Sequence, residues 1–300
     1  MKKETIKKLL LIAISLIVIG SISLFISLAI NSWDYTKITT TSYKNDSFNI
    51  SEPFDKISID SDTSDIEFIR AQDINCTVDF YQPANADYST YVSNNTLYIS
   101  AADSKSLFDH ISFISSETAK IKIYLPNSFY TSLQISDATG DIMIPKSFSF
   151  DSIDISTSTG DVSDNASAKT ISINNQTGET SLNNVLADQI DLTCSTGDTT
   201  LIDVTSDYIN STGSTGDLDL INVNATKIIK AERSTGDITL SNSDAYELYL
   251  ETSTGSVSGS LLSGKTFVTS SSTGDIDVPS STGGKCEIKT STGDITITIN

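Results

Sequence analysis

From residue 131 onward, apolar and polar residues alternate in short runs that restart every 18 to 20 positions, each run built around a Thr-Gly pair. The glycines are Gly140, Gly160, Gly178, Gly197, Gly216, Gly236, Gly255, Gly274 and Gly293. Seven residues before them stand Leu133, Ile153, Ile171, Ile190, Ile209, Ile229, Leu248, Phe267 and Cys286. Five before them come Ile135, Ile155, Ile173, Leu192, Ser211, Ala231, Leu250, Thr269 and Ile288. The alternation resumes two residues after the glycine (Ile142, Val162, Thr180, Thr199, Leu218, Ile238, Val257, Ile276, Ile295) and again four after it in most repeats. Period-two patterning on both sides of a fixed glycine predicts a half-buried strand, a tight turn, a second strand and a looser return.

One such unit cannot bury its apolar face alone, so a fixed period of this length points to stacked coils with a continuous core. The predicted fold is all-β: a single-chain β-solenoid with coils of about nineteen residues. Residues 131–300 hold nine regular coils, roughly 43 Å long at ~4.8 Å per coil. Glycine supplies a positive φ at the turn without steric cost. The residue after it reads Asp141, Asp161, Glu179, Asp198, Asp217, Asp237, Ser256, Asp275 and Asp294, side chains able to bond the local backbone. Some returns carry one further apolar residue, as at Val185, Val204, Val223 and Leu262.

Residues 51–130 are less regular but still alternate as strands, for example at Ile57-Ser-Ile59, Ile66-Glu-Phe68 and Ile121-Lys-Ile123-Tyr-Leu125. Thr63-Ser64-Asp65 resembles a degraded Thr-Gly-Asp turn. Terminal repeats of solenoids are atypical because they cap the core, so this stretch is expected to be the N-terminal cap, interrupted by a loop at 103–118. The polar residues 31–50 read as a spacer. At the other end Ile295-Thr-Ile-Thr-Ile299-Asn300 stops within a coil, which predicts an unprotected C-terminal strand edge open to self-association or to a protein or cell-wall partner.

A different pattern occupies the N-terminus. Residues 9–30 carry no charge and are rich in Leu and Ile, enough at 1.5 Å per residue to span a hydrocarbon core of ~30 Å. Lys2, Lys3, Lys7 and Lys8 precede the run, which orients a transmembrane helix with residues 1–8 in the cytoplasm and the remainder outside. Trp33 and Tyr35 fall where an outer aromatic belt would sit. A cleaved signal peptide is the competing reading, with Ser27-Leu28-Ala29 as its site, but signal apolar regions are usually only ~7–15 residues. No cysteine follows the run to take a lipid anchor.

Charge sharpens this picture. The chain has a formal net charge of −19. Removing the four N-terminal lysines and Glu4 from the count leaves residues 31–300 with 15 basic and 37 acidic side chains, a balance of −22. Such a surface repels nucleic acid and draws cations or cationic peptides. Cys76, Cys194 and Cys286 are expected to be unpaired. Cys286 fills an inward slot, and five coils would separate it from Cys194, ~24 Å against a disulfide limit of ~7 Å.

Catalytic constellations are nearly absent. His110 is the only histidine, no Cys/His spacing suits zinc, and the glycines recur singly rather than in a phosphate loop. Polysaccharide lyases also use β-helices, but they need a basic site and the regular coils hold only Arg233 and scattered lysines. The acidic column is the one constellation to weigh. Adjacent carboxylates ~4.8 Å apart repel by ~0.9 kcal/mol in water. Either each accepts bonds from its own turn's N–H groups and splays into solvent, or the column holds Ca²⁺ through oxygen ligands. It lacks the glycine-rich nonapeptide of calcium-binding β-rolls. The Thr and Ser columns read as ladders bonding along the stack, or else as a flat hydroxyl array for carbohydrate or ice. No catalytic, cofactor-binding or metal-ligating residue is assigned, and no cofactor.

The N-terminal anchor, the Ile-x-Ile-x-Leu-Pro element at 121–126 and the ladder of Ser-Thr-Gly-Asp coils together resemble a bacterial "putative adhesin" domain family of unknown function that includes LiaG-like membrane-anchored envelope proteins. The resemblance covers roughly residues 50–300. It implies a β-solenoid outside the cell, and some relatives belong to envelope stress systems that respond to cationic antimicrobial peptides. It supplies no catalytic residues. The expected function is a non-enzymatic, single-pass cell-envelope protein that binds or senses through its solenoid, in the response to envelope stress or cationic peptides. The alternative is a cell-surface adhesin contacting another cell or a surface glycan.

Overall fold

The computed structural model describes residues 3–30, 33, 42–102, 118–126 and 129–300. Lys3–Ile30 form one α-helix. Its segment Leu10–Ile30 has a mean hydropathy of 2.6 and is not buried by the rest of the protein. A helix of that length and composition is long and apolar enough to cross a membrane. Tyr35 and the loop 103–117 with His110 lie outside the described residues.

The remaining elements described are strands, stacked into two sheets that enclose one core. Each regular coil gives a long strand to the first sheet, turns at Thr-Gly-Asp, and gives a short strand to the second. In the Gly160 coil these are Ser149–Thr159 and Val162–Asp164. The register places like on like: Ile153 lies between Leu133 and Ile171, and Val162 between Ile142 and Thr180. Inward slots are therefore closed, with Ile153, Ile190, Ile229 and Leu248 at most 1% exposed. The return has its own corner. Asn184, Asp203, Asn222 and Asn242 adopt φ of 50–59°, and Asn and Asp tolerate this left-handed conformation because their short side chains bond locally.

Both ends depart from sequence order. At the N-terminal end Lys56–Ser61 lies between Thr96–Ala102 and Phe129–Thr139. Likewise Ser64–Arg70 lies between Ala119–Leu125 and Ile142–Ile144. The first coil of the chain thus supplies the third strand from that end of one sheet and the fourth of the other. Beyond it the sheets turn antiparallel, through the hairpin Asp87–Ser93 and Thr96–Ala102 and through the series Tyr43–Ile50, Cys76–Pro83 and Ala119–Leu125. Asn94 and Asn95, at φ of 50° and 61°, form the two-residue turn such a hairpin favours. Part of the expected spacer is accordingly a strand, because Phe48 packs edge-on against Phe80 at 5.7 Å and Ile50 is buried.

The C-terminal strand is covered on both sides only at Ile295 and Thr296, which narrows the expectation of an open edge to residues 297–299. Ile295–Ile299 pairs with Val257–Leu261 on one side and with Ile276–Asp277 on the other. Gly284–Thr292 likewise lies between Ile238–Thr254 and Lys265–Thr273. The last coil in sequence is inserted, and the Gly274 coil before it ends the stack. Composition explains the exchange. The inserted coil has the more apolar face of the two, and Cys286, Ile288 and Ile295 are fully buried. The Gly274 coil offers Thr269 in the equivalent slot and leaves Ile276 44% exposed, as suits a cap. Lys265 pins this cap: its Nζ lies 2.6 Å from Asp244 Oδ1 and donates to Ala245 O at 2.6 Å, in a pocket that buries both side chains. Four stacking steps, not five, now separate Cys194 from Cys286, still far beyond disulfide reach, and all three cysteines are free and buried.

Candidate functional site

The Thr-Gly-Asp turns form one edge of the solenoid, and their glycine N–H groups and most of their Asp carboxylates bond to the neighbouring coil. Each glycine N–H donates to the threonine carbonyl of the next coil, as from Gly160 to Thr177 at 2.9 Å. The glycine carbonyl then faces the next glycine so closely that a Cβ on Gly216 would lie 2.1 Å from Gly197 O. With φ of +124° at Gly216, conformation and proximity both exclude a side chain.

The aspartates also bond along the stack rather than within their own turns, which corrects that part of the expectation. Asp161 N–H donates to Asp141 Oδ1 at 2.9 Å, Glu179 N–H to Asp161 Oδ1 at 2.8 Å, and Asp237 N–H to Asp217 Oδ1 at 2.8 Å. The ladder follows spatial order through both exchanges. Asp141 N–H reaches Asp65 Oδ1, so Thr63-Ser64-Asp65 is indeed a variant turn in the column. At the far end Asp294 N–H reaches Ser256 Oγ, and Asp275 N–H reaches Asp294 Oδ1. Hydrogen bonds to a charged acceptor are the strong kind, and they offset the repulsion that stacked carboxylates generate.

A second ladder lies beneath, in the inward slot three residues before each glycine. Thr252 and Thr290 donate their hydroxyls to Gly236 O and Gly255 O at 2.9 Å, and Asn175 Nδ2 donates to Gly160 O at 3.0 Å. These residues are buried. Sequence reasoning missed this column by following only apolar residues, although the period-two rule already points the slot inward. In the Gly236 coil the slot holds Arg233, only 4% exposed, with room made by Gly213, whose added Cβ would meet Arg233 Cδ at 2.9 Å. The guanidinium donates to Ser211 Oγ at 3.0 Å and Glu232 O at 2.9 Å. Burial lowers its pKa while Cys194, Asp217 and Asp198 favour its charge, so a cation sits under the middle of the acidic edge.

One unbroken row of that acidic surplus runs along the edge. Lys44, Lys122, Lys169, Lys227, Lys230, Lys265, Lys285 and Lys289 each pair with an Asp or Glu elsewhere, while Lys120 pairs with Asp65 at the N-terminal end of the column. Among the described residues no ion pair reaches Asp141, Asp161, Glu179, Asp198, Asp217, Asp237, Asp275 or Asp294. Nor do three His, Cys, Asp or Glu side chains converge there as a metal-binding group. Of the hydroxyl columns, Thr193 and Thr212 meet across the stack at 3.3 Å. Burial pushes the thiols of Cys76 and Cys286 up to about 12, which leaves them protonated and unreactive.

The chain bears a distant likeness to several solved structures. A "putative adhesin" from Bacteroides fragilis is 20% identical, covering 85% of this chain and 97% of its own, with a TM-score of 0.46. Another "putative adhesin", from Parabacteroides merdae, is 7% identical over 86% of this chain and 96% of its own, at a TM-score of 0.48. A "putative lipid binding protein" from Parabacteroides distasonis is 13% identical over 85% and 97%, at 0.42. No functionally curated protein matches the sequence. The family model described as Toastrack DUF4097 matches residues 54–298, from the first inserted coil to the last, and the chain belongs to that family.

Proposed function

We propose that the protein is a non-enzymatic component of the cell envelope. Its N-terminal helix stays in the membrane with the N-terminus in the cytoplasm, its solenoid stands outside, and the Thr-Gly-Asp edge captures cationic partners. The observation that carries this is the column of eight turn carboxylates without an ion pair among the described residues, on a protein where nine lysines are paired with acids. A row of like charges at coil spacing raises the local concentration of a cationic chain and speeds its encounter. The four lysines before the apolar helix support the orientation.

In the finer form of this reading the captured chains are cationic antimicrobial peptides, and the protein serves the response to envelope stress. Induction of its gene by such a peptide, with altered peptide sensitivity on deletion, is the expected result. Loss of cell attachment on deletion, with sensitivity unchanged, would instead establish the adhesin reading.

A further inference from the structure

A second surface lies on the outer face of the first sheet, away from the acidic edge. Residues eight and six positions before the glycine point outward there, and in three successive coils they form two short rows. The register places Gln189, Tyr208 and Ile228 side by side, and Asp191, Asn210 and Lys230 beside them. Together these residues line an open groove. The Gly236 coil is one residue longer than its predecessor, and the pairing slips at Ser206/Tyr208 and at Ala225/Ile228. Such a bulge re-aims side chains and is frequent beside binding sites.

The groove is prepared in three respects. Asp191 is held on both oxygens, by Gln189 Nε2 at 2.6 Å and Asn210 Nδ2 at 3.4 Å, and among the described residues no base pairs with it. Its carboxylate is thus a fixed acceptor with lone pairs to spare. Tyr208 is 41% exposed on one side of the groove and is steadied by Lys227 Nζ, 4.6 Å from its ring centroid. One coil beyond Lys230 stands a second ring, Tyr249, anchored through its hydroxyl to Glu247 Oε2 at 2.7 Å and by Lys285 over the ring at 4.9 Å. Fixed acceptors and amides between two immobilised aromatic rings make a surface that recognises hydroxyl-rich rings by hydrogen bonding along their edges and stacking on their faces.

Charge and topology narrow the occupant. Lys227, Lys230 and Lys285 are paired with Asp207, Glu232 and Glu287, so the face carries no free cation for an acidic polymer. These strands are central, paired on both sides, so an extended peptide finds no sheet edge for its main chain. We infer that this groove binds a neutral glycan, lying across the Gly197, Gly216 and Gly236 coils with a sugar ring against Tyr208. The inference rests on the solenoid being a binding module, but not on its acidic edge.

The test uses the full chain in phosphatidylcholine nanodiscs and calorimetric titration with cellohexaose, chitohexaose and an oligogalacturonate. Binding of a neutral hexamer with sub-millimolar Kd is expected, with little for the acidic one. Tyr208→Ala and Asp191→Ala should each weaken it about tenfold or more, while Tyr208→Phe retains it, and melting temperatures show which variants remain folded. No binding of either neutral hexamer, preference for the oligogalacturonate, or affinity indifferent to both Tyr208→Ala and Asp191→Ala in folded protein would overturn the inference. Decalysine titrated into the same samples separates the two surfaces: its failure to bind sinks the edge reading alone, and glycan failure with decalysine bound sinks this one alone.

Discussion

At the scale of single residues, the turn glycine and a buried carboxylate set the sharpest constraints. Gly216→Ala would drive a Cβ into Gly197 O and strain a φ of +124°, so we expect a loss of at least about 3 kcal/mol in chemical unfolding. Gly213→Ala, which meets only the flexible Arg233 side chain, should cost clearly less. Asp164 occupies a slot that is apolar in most coils, between Ile144 and Leu182, and is fully buried. Its Oδ1 accepts from Ala166 N at 3.0 Å, but Oδ2 has no partner. Burial pushes its pKa from 3.8 up to about 7, and burial likewise raises Asp137 to about 6. A folded-state pKa above the unfolded one means stability that is complete below pH 3.8 and lost as pH rises through 6 and 7. For Asp164 the span corresponds to about 4 kcal/mol, as an order of magnitude. Unfolding at pH 5 and pH 8 should show the protein weaker at pH 8, and Asp164→Asn should remove most of the difference. Equal stability of the variant and the parent at pH 8 would contradict this.

At the scale of the coil, the repeat encodes what a coil is but not its rank. The strand, turn and second strand were legible because the inward slots alternate with period two about a fixed glycine. Thr63-Ser64-Asp65 was legible for the same reason. Order was not, because the Thr carbonyl and the glycine N–H are the same in every Thr-Gly turn and the Asp carboxylate in most, so the turns do not rank the coils. What separates the last two coils is how apolar their faces are, although a polar slot alone does not expel a coil, since Ser211 is buried in a covered one. Ile288 and Ile295 demand cover on both sides, while Thr269 and Ile276 accept solvent on one. The signal was therefore present in Thr269, but it has meaning only in comparison with the following coil. Ile288→Ala should cost about 2–4 kcal/mol, as in a closed core, and Ile276→Ala less than half as much. Denaturation midpoints that rank these two variants the other way would restore sequence order at the C-terminus. The Asn and Asp of the return corner were also on view, one residue before Val185, Val204 and Val223, and went unread because only the apolar neighbour was counted.

At the scale of the molecule, the two faces of the solenoid divide the chemistry. Nine lysines are matched with acids, and only one of these pairs, Lys120 with Asp65, reaches the turn edge, so that edge carries a continuous row of unpaired carboxylates among the described residues. That asymmetry could not be read from the sequence, since pairing depends on which outward rows stack together. The most direct test replaces Asp161, Asp198, Asp217 and Asp237 together by Asn. Each Asn Oδ1 can still accept the N–H of the next coil, at Glu179, Asp217, Asp237 and Ser256, so the fold should keep its melting temperature to within a few degrees. Decalysine binding to the full chain in phosphatidylcholine nanodiscs should then weaken about tenfold or more and lose most of its salt dependence. Unchanged affinity and unchanged salt dependence in the folded variant would contradict capture at the Thr-Gly-Asp edge.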